Sequence, residues 1–142
     1  MSEPSFIDTN ILVYAFAGTG DKRHDRARSA VELLVDRQGA VVSVQVLKEF
    51  YAAATRKVKK PLSSREAAGI VKDLSLACRV LDDTLPQLER ALELVDAHAL
   101  SVWDASIVAA AEVAGCRELY TEDLAHGAVL GNVRVMNPLS SG

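Results

Sequence analysis

Apolar residues recur along this chain in two rhythms. Short runs have the length and β-branched content of buried strands: Ser5-Phe6-Ile7, Ala40-Val41-Val42-Ser43, Glu118-Leu119-Tyr120 and Val133-Arg134-Val135, with Arg79-Val80-Leu81 a weaker fifth. Between them lie longer stretches of helical period, at residues 24–37, 44–58, 63–76, 85–98 and 102–114. Strands that alternate with helices need crossover connections. The expectation is therefore a three-layer α/β/α sandwich whose central sheet is mainly parallel and has four to five strands. Punctuation supports these bounds. Ser63 with Glu66 forms a capping box just after Pro61, and Asp83-Thr84 with Pro86 opens another helix. Gly39, Gly115, Gly127 and Gly131 fall past helices or in loops. Connections are short, with no linker or repeat, so residues 1–142 are expected to form one domain.

Composition narrows the class. About half the residues are apolar but aromatics are few, so the core should be Val, Leu, Ile and Ala. No apolar run approaches the ~20 residues of a membrane span. The first apolar stretch follows Asp8 and Asn10 and precedes Lys22-Arg23, the reverse of a secretory signal. Cys78 and Cys116 have no CxxC or His spacing and read as buried thiols in a reducing compartment, which implies a cytoplasmic protein. The net charge of −3 argues against a generally basic nucleic-acid binder. Its distribution is uneven. From Lys22 to Lys60 ten Lys/Arg face four Asp/Glu, a net of +6; from Asp82 to Asp123 two face ten, a net of −8. Solvated helix faces account for most such runs.

Four acids stand beside apolar residues: Asp8 in FIDTN, Glu49 in LKEFY, Asp104 in VWDAS and Asp123 in YTEDL. Each would be costly as an isolated buried charge, and one or two hard divalent cations shared among them would remove that cost. Asp8 ends the first strand, where open parallel sheets gather ligands; alternatively Asp8 or Asn10 caps a helix beginning near Ile11. Glu49 lies at the edge of an apolar helix face with Ala52 and Ala53 beside it, or is an ordinary rim residue paired with Lys48 or Arg56. Asp104 shares a helix face with Ile107, Val108 and Ala111. The helix dipole at its first turn offers only ~0.3–1 kcal/mol, so a cation, an Arg or a Lys is needed to neutralise it if buried. Ser101 or Asp104 as a plain N-cap is the competing account. Thr121 can bond a neighbouring carboxylate, Glu122 and Asp123 compete for the inward position, and a loop with a helix cap before Leu124 is the simpler reading. Carboxylate oxygens suit Mg²⁺ or Mn²⁺, which lower the pKa of bound water and stabilise phosphoryl charge. His24, His98 and His126 show no pairing with a Ser or Cys nucleophile.

Taken in order, Phe6 to Leu12, Leu47 to Tyr51, Trp103-Asp104-Ala105 and Thr121 to Gly127 resemble the PIN-domain family, and within it the VapC-type ribonuclease toxins. The resemblance spans nearly the whole chain. It implies a metal-dependent endoribonuclease using Mg²⁺ or Mn²⁺, an RNA substrate, a homodimer, and a small antitoxin encoded nearby. Carried over by position, Asp8, Glu49, Asp104 and Asp123 would be the acidic quartet, with Asp8, Asp104 and Asp123 holding metal. Asn10, Thr121 and Glu122 would support it. Arg56, Lys57, Lys59 and Lys60 then become candidate contacts for RNA phosphates, as do Lys22, Arg23 and Arg26; for each, solubility is the alternative. Two other classes compete. One is a PIN-like protein- or RNA-binding module without catalysis. The other is a haloacid-dehalogenase-like phosphatase, which needs a second Asp where this chain has Asn10.

Overall fold

The computed structural model describes residues 3–18 and 20–140. Among these residues the chain forms twelve elements in the order β1 (Ser5–Ile7), α1 (Thr9–Ala17), α2 (Lys22–Asp36), β2 (Ala40–Ser43), α3 (Val44–Arg56) and α4 (Ser64–Ala77), then β3 (Arg79–Leu81), α5 (Leu85–His98), α6 (Val102–Val113), β4 (Glu118–Tyr120), β5 (Val129–Leu130) and β6 (Val133–Met136). All five predicted strands form. The sheet has six, not four to five, because β5 is a two-residue strand that pairs antiparallel with β6. So short a run leaves no periodic signal. Gly131 makes its tight turn feasible: φ is +59°, and an added Cβ would collide with the Glu112 carboxylate.

Strand order is β3-β2-β1-β4-β6-β5, and every pairing except β5 with β6 is parallel. The chain builds outward from β1 to β3 on one side, then crosses to place β4 on the other. The order therefore reverses between β1 and β4, and at such a switch point the connections leave a crevice above the carboxyl ends of the strands. Asp8 follows β1 directly and Thr121 follows β4 directly.

Two helix groups pack around this sheet: α1 against α2 and α3, α3 against α4, and α5 against α6. β1 and β2 are buried along their length, which only apolar strands covered on both faces tolerate. The core is the predicted set of Val, Leu, Ile and Ala, with Phe6 and Phe50 fully buried among them. Helix starts follow the predicted chemistry. Ser63 and Glu66 close a reciprocal capping box on α4, and Thr84 caps α5 with Pro86 in its first turn. On the far side of the fold the Arg90 guanidinium grips Glu112 at 2.7 and 3.1 Å, and Glu112 also accepts from the Asn132 amide at 2.9 Å. That carboxylate ties α5, α6 and the β5–β6 turn together, and its pKa is lowered chiefly by the Arg90 hydrogen bond.

Cys78 and Cys116 are free and buried, and burial pushes their thiols up to about 11 and about 12. Among the described residues no single helix is long and apolar enough to cross a membrane.

Candidate active site

Asp8 is the anchor of the switch-point crevice. It N-caps α1, its Oδ1 accepting from the Thr9 amide at 2.7 Å, while its Oδ2 accepts from the Thr121 hydroxyl at 2.9 Å and the Asn10 amide at 3.3 Å. Capping and facing the cleft thus fall to the same carboxylate, and Asn10 is freed for other work. Only 6% of Asp8 is exposed, and its carboxyl is pushed up to about 6. Burial is the main cause. Hydrogen bonds from Thr121 and Thr9 oppose it, and repulsion from Asp123 and Glu49 adds to it.

Thr121 is fully buried and connects the two strand ends. Its hydroxyl accepts from Asn10 Nδ2 and from the Asp123 amide, both at 3.1 Å, and donates to Asp8. Asn10 reaches across the same gap: Nδ2 also donates to Asp123 Oδ2 at 3.0 Å, and Oδ1 accepts from the Glu122 amide at 3.1 Å. Residues 121–128 form turns rather than the helix start considered before Leu124. Both competing acids line the cleft, with different partners. Glu122 accepts from the Tyr14 hydroxyl at 3.1 Å, beside the Arg23 guanidinium, whereas Asp123 is drawn into the Asp8–Asn10–Thr121 cluster.

Glu49 and Asp104 come from the other walls. Glu49 is exposed on α3; it accepts from the Thr9 hydroxyl and from Gln45 Nε2, each at 3.0 Å, and makes no ion pair with Lys48 or Arg56 among the described residues. Asp104 is half-buried in the first turn of α6, whose N-cap is Ser101. Its carboxyl is raised by burial first, then by Asp123 and Glu49, with a Ser101 hydrogen bond opposing. The mutual repulsion written into Asp8 and Asp104 means that these four acids share one electrostatic environment.

All four line a single cleft of about 740 Å³, together with Asn10, Tyr14, Ala52, Ala53, Lys57, Trp103 and Glu122. Of the predicted basic contacts only Lys57 reaches this lining; Arg56, Lys59 and Lys60 are exposed outside it. Arg23 is held near Asp21 and Tyr14, and Arg26 donates to the Leu139 carbonyl at 3.0 Å. Thr9, Tyr14 and Gln45 hold site acids and carry no signal in the sequence that separates them from other helix residues.

The donors are oxygen only, without Cys or His, which suits Mg²⁺ or Mn²⁺. A cation would also offset the repulsion that raises Asp8 and Asp104. The shared cage is nevertheless not closed: among the described residues no three acidic, His or Cys side chains converge tightly enough to hold an ion. Neutral donors hold the carboxylates instead, Asn10 on Asp123 and Thr9 with Gln45 on Glu49. Asp123 and Glu49 are exposed; the oxygen chemistry of the lining fits a hard cation, while the carboxylates as they stand do not converge on one.

An acid-lined cleft at the switch point of a parallel sheet defines a class of α/β proteins that gather carboxylates above their strand ends. The chain belongs to the PIN domain family, whose sequence profile matches residues 5–129. No curated protein sequence matches it significantly. Among solved structures it is similar to a toxin–antitoxin complex from Klebsiella pneumoniae, at 22% identity over 94% of this chain and 97% of that one, TM-score 0.72. It is similar to VapC20 of Mycobacterium tuberculosis, a sarcin–ricin loop cleaving toxin, at 25% identity over 92% and 98% of the chains, TM-score 0.66. VapBC2 of Rickettsia felis, bound to a DNA fragment from its promoter, is 20% identical over 94% and 97%, TM-score 0.67.

Proposed function

We propose that this chain, as a single domain, is a metal-dependent endoribonuclease and the toxin of a VapBC-type toxin–antitoxin pair. The observation that carries this reading is the meeting of Asp8, Glu49, Asp104 and Asp123, from four separate segments, around one cleft at the strand ends. Asp8, Asp104 and Asp123 would hold Mg²⁺ or Mn²⁺. When bound, such an ion supplies a water of lowered pKa and charge stabilisation on a phosphoryl oxygen. Glu49, on α3 and bonded to Thr9 beside Asp8, would act as the base that takes a proton from the attacking water. Asn10 and Thr121 hold Asp8 and Asp123 in register. Lys57 at the cleft, with Arg56, Lys59 and Lys60 beyond it, offers charge to the RNA backbone. A cognate antitoxin is supported by the neighbouring VapBC complexes, and action in the cytoplasm by the two buried free thiols; the homodimer rests on the family resemblance alone.

The test uses the purified chain with RNA and Mg²⁺ or Mn²⁺. Cleavage is expected, abolished by EDTA, and lowered on the order of 100-fold or more by Asp8→Asn or Asp104→Asn, since even outer partners of metal ligands cost 10–100-fold. Wild type and both variants cutting alike, or cleavage indifferent to EDTA, sinks the reading. The incomplete convergence of the acids favours one alternative, a non-catalytic PIN-like module that binds protein or RNA. Calorimetry separates them, because a module without a metal site takes up no saturable Mn²⁺.

A further inference from the structure

Beside the acidic cleft stands a residue the nuclease reading leaves without a task. Trp103, the one tryptophan in the chain, is 67% exposed. An indole is among the largest apolar surfaces a fold can bury, so its exposure asks for a reason. It sits in the first turn of α6 next to Asp104 and forms a wall shared by the cleft and a neighbouring groove of about 500 Å³. Gln87, also lining that groove, is only 9% exposed. Its backbone amide bonds Thr84, but its side-chain amide makes no hydrogen bond with any described residue. Among the described residues no sealed-in polar side-chain atom lacks a partner, so the unbonded donor and acceptor of Gln87, a residue that lines the groove, are open to solvent. Water satisfies that amide while the groove is open, so an occupant that covers it must supply hydrogen bonds in water's place.

We propose that Trp103 and Gln87 form a base-binding subsite for an unpaired nucleotide flanking the scissile phosphate, with the base stacked on the indole and its edge hydrogen-bonded to the amide. This rests on the nuclease reading of the adjoining cleft. An aromatic face suits any base, and a side-chain amide offers one acceptor and two donors to a base edge. The charge pattern argues the same way. Asp83 lines the groove, so this wall repels phosphates and favours a neutral ring, while Lys57 in the adjoining cleft offers charge to the backbone. In a duplex, stacked neighbours cover both faces of a base; the subsite therefore selects single strands or loops. An apolar protein surface is the competing occupant, but it would leave the Gln87 amide unsatisfied.

The single tryptophan makes the test direct. Wild-type chain in Ca²⁺ is titrated with a single-stranded oligoribonucleotide, with the same sequence as a duplex, and with inorganic polyphosphate at equal phosphate concentration. Saturable quenching of Trp103 fluorescence by the single strand alone is expected. Trp103→Ala should raise KM for single-stranded RNA about 5- to 150-fold, the equivalent of one stacked base, with kcat much less affected and Trp103→Phe largely restoring it. Gln87→Leu should alter the ranking among homopolymers while leaving quenching in place. No quenching by the single strand, or equal quenching by polyphosphate, overturns the subsite, as does an unchanged KM in Trp103→Ala. If that variant instead loses self-association in light scattering at unchanged KM, the indole belongs to a protein interface and the proposal falls. Absent cleavage by the wild type with quenching intact would remove the nuclease reading and leave the subsite standing.

Discussion

At the residue scale the site is a set of anions held slightly apart. Asp8 has both oxygens turned to donors, from Thr9 on one side and Thr121 with Asn10 on the other. Thr121 already accepts from Asn10 and the Asp123 amide, so its hydroxyl proton has nowhere to point but Asp8. An Asn at position 8 would set its NH₂ against one of these donors. Asp104→Asn carries no such mismatch and relieves repulsion from Asp123 and Glu49. In EDTA it should melt a few degrees above the wild type while losing cleavage, a trade that a thermal scan and an RNA assay read together. An equal or lower melting temperature would mean that the repulsion is negligible.

Asp8 also sets a pH dependence. Its carboxyl titrates at about 6 in the fold against 3.8 for the ordinary group, so the folded state holds that proton more tightly. The associated stability is complete below the unfolded value and is lost as pH rises through about 6, by something on the order of 3 kcal/mol. Chemical denaturation of wild type and Asp8→Asn in EDTA at several pH values should show the wild type losing ground between pH 4 and 6. A difference that stays flat across that window would refute the assignment.

At the element scale, scaffold and site separate cleanly. The Glu112 carboxylate clamps α5, α6 and the β5–β6 turn at a place that contributes nothing to the cleft lining. Glu112→Ala strips two charge-assisted bonds from Arg90 and one from Asn132. Because Arg90 is 39% exposed, solvent recovers part of the loss, leaving a cost of about 2 kcal/mol. Denaturant unfolding should show that shift with little change in KM for RNA at 25 °C. A large KM change with small destabilisation would instead connect this clamp to the cleft. The α6 helix illustrates the division: its far end anchors Glu112, while its first turn presents Asp104 and Trp103.

At the scale of the molecule, the uneven charge becomes a spatial arrangement. Lys57 and the acids meet at one opening, so RNA would be drawn by the basic end of α3 while its reacting phosphate approaches carboxylates. Binding should weaken steeply with salt. Each single-strand phosphate contact removed lowers the slope of log K against log salt by about 0.7. Lys57→Gln is expected to show that decrement, and replacing Arg56, Lys59 and Lys60 as well should lower the slope further, by up to about 2. Slopes unchanged in the fourfold variant would return this segment to ordinary solubility.

Much of this protein was legible in the residues alone, because local chemistry decides it. Short apolar runs marked the strands and a 3.6-residue period the longer helices, the Ser63–Glu66 box and Thr84 cap marked helix starts, and acids beside apolar runs singled out Asp8 and Asp104 as candidates. Those signals act within a turn or a strand, and they survive without knowledge of distant partners. What lay beyond them depends on segments far apart in sequence. The two-residue β5 exists only because β6 receives it, and Glu122 is separated from Asp123 only by Tyr14 on one side and Asn10 on the other. The groove that joins Gln87 to Trp103 likewise has no trace along the chain. Side-chain type is written residue by residue, but which carboxylate faces which donor is fixed by the strand order that reverses between β1 and β4, and only folding sets that order.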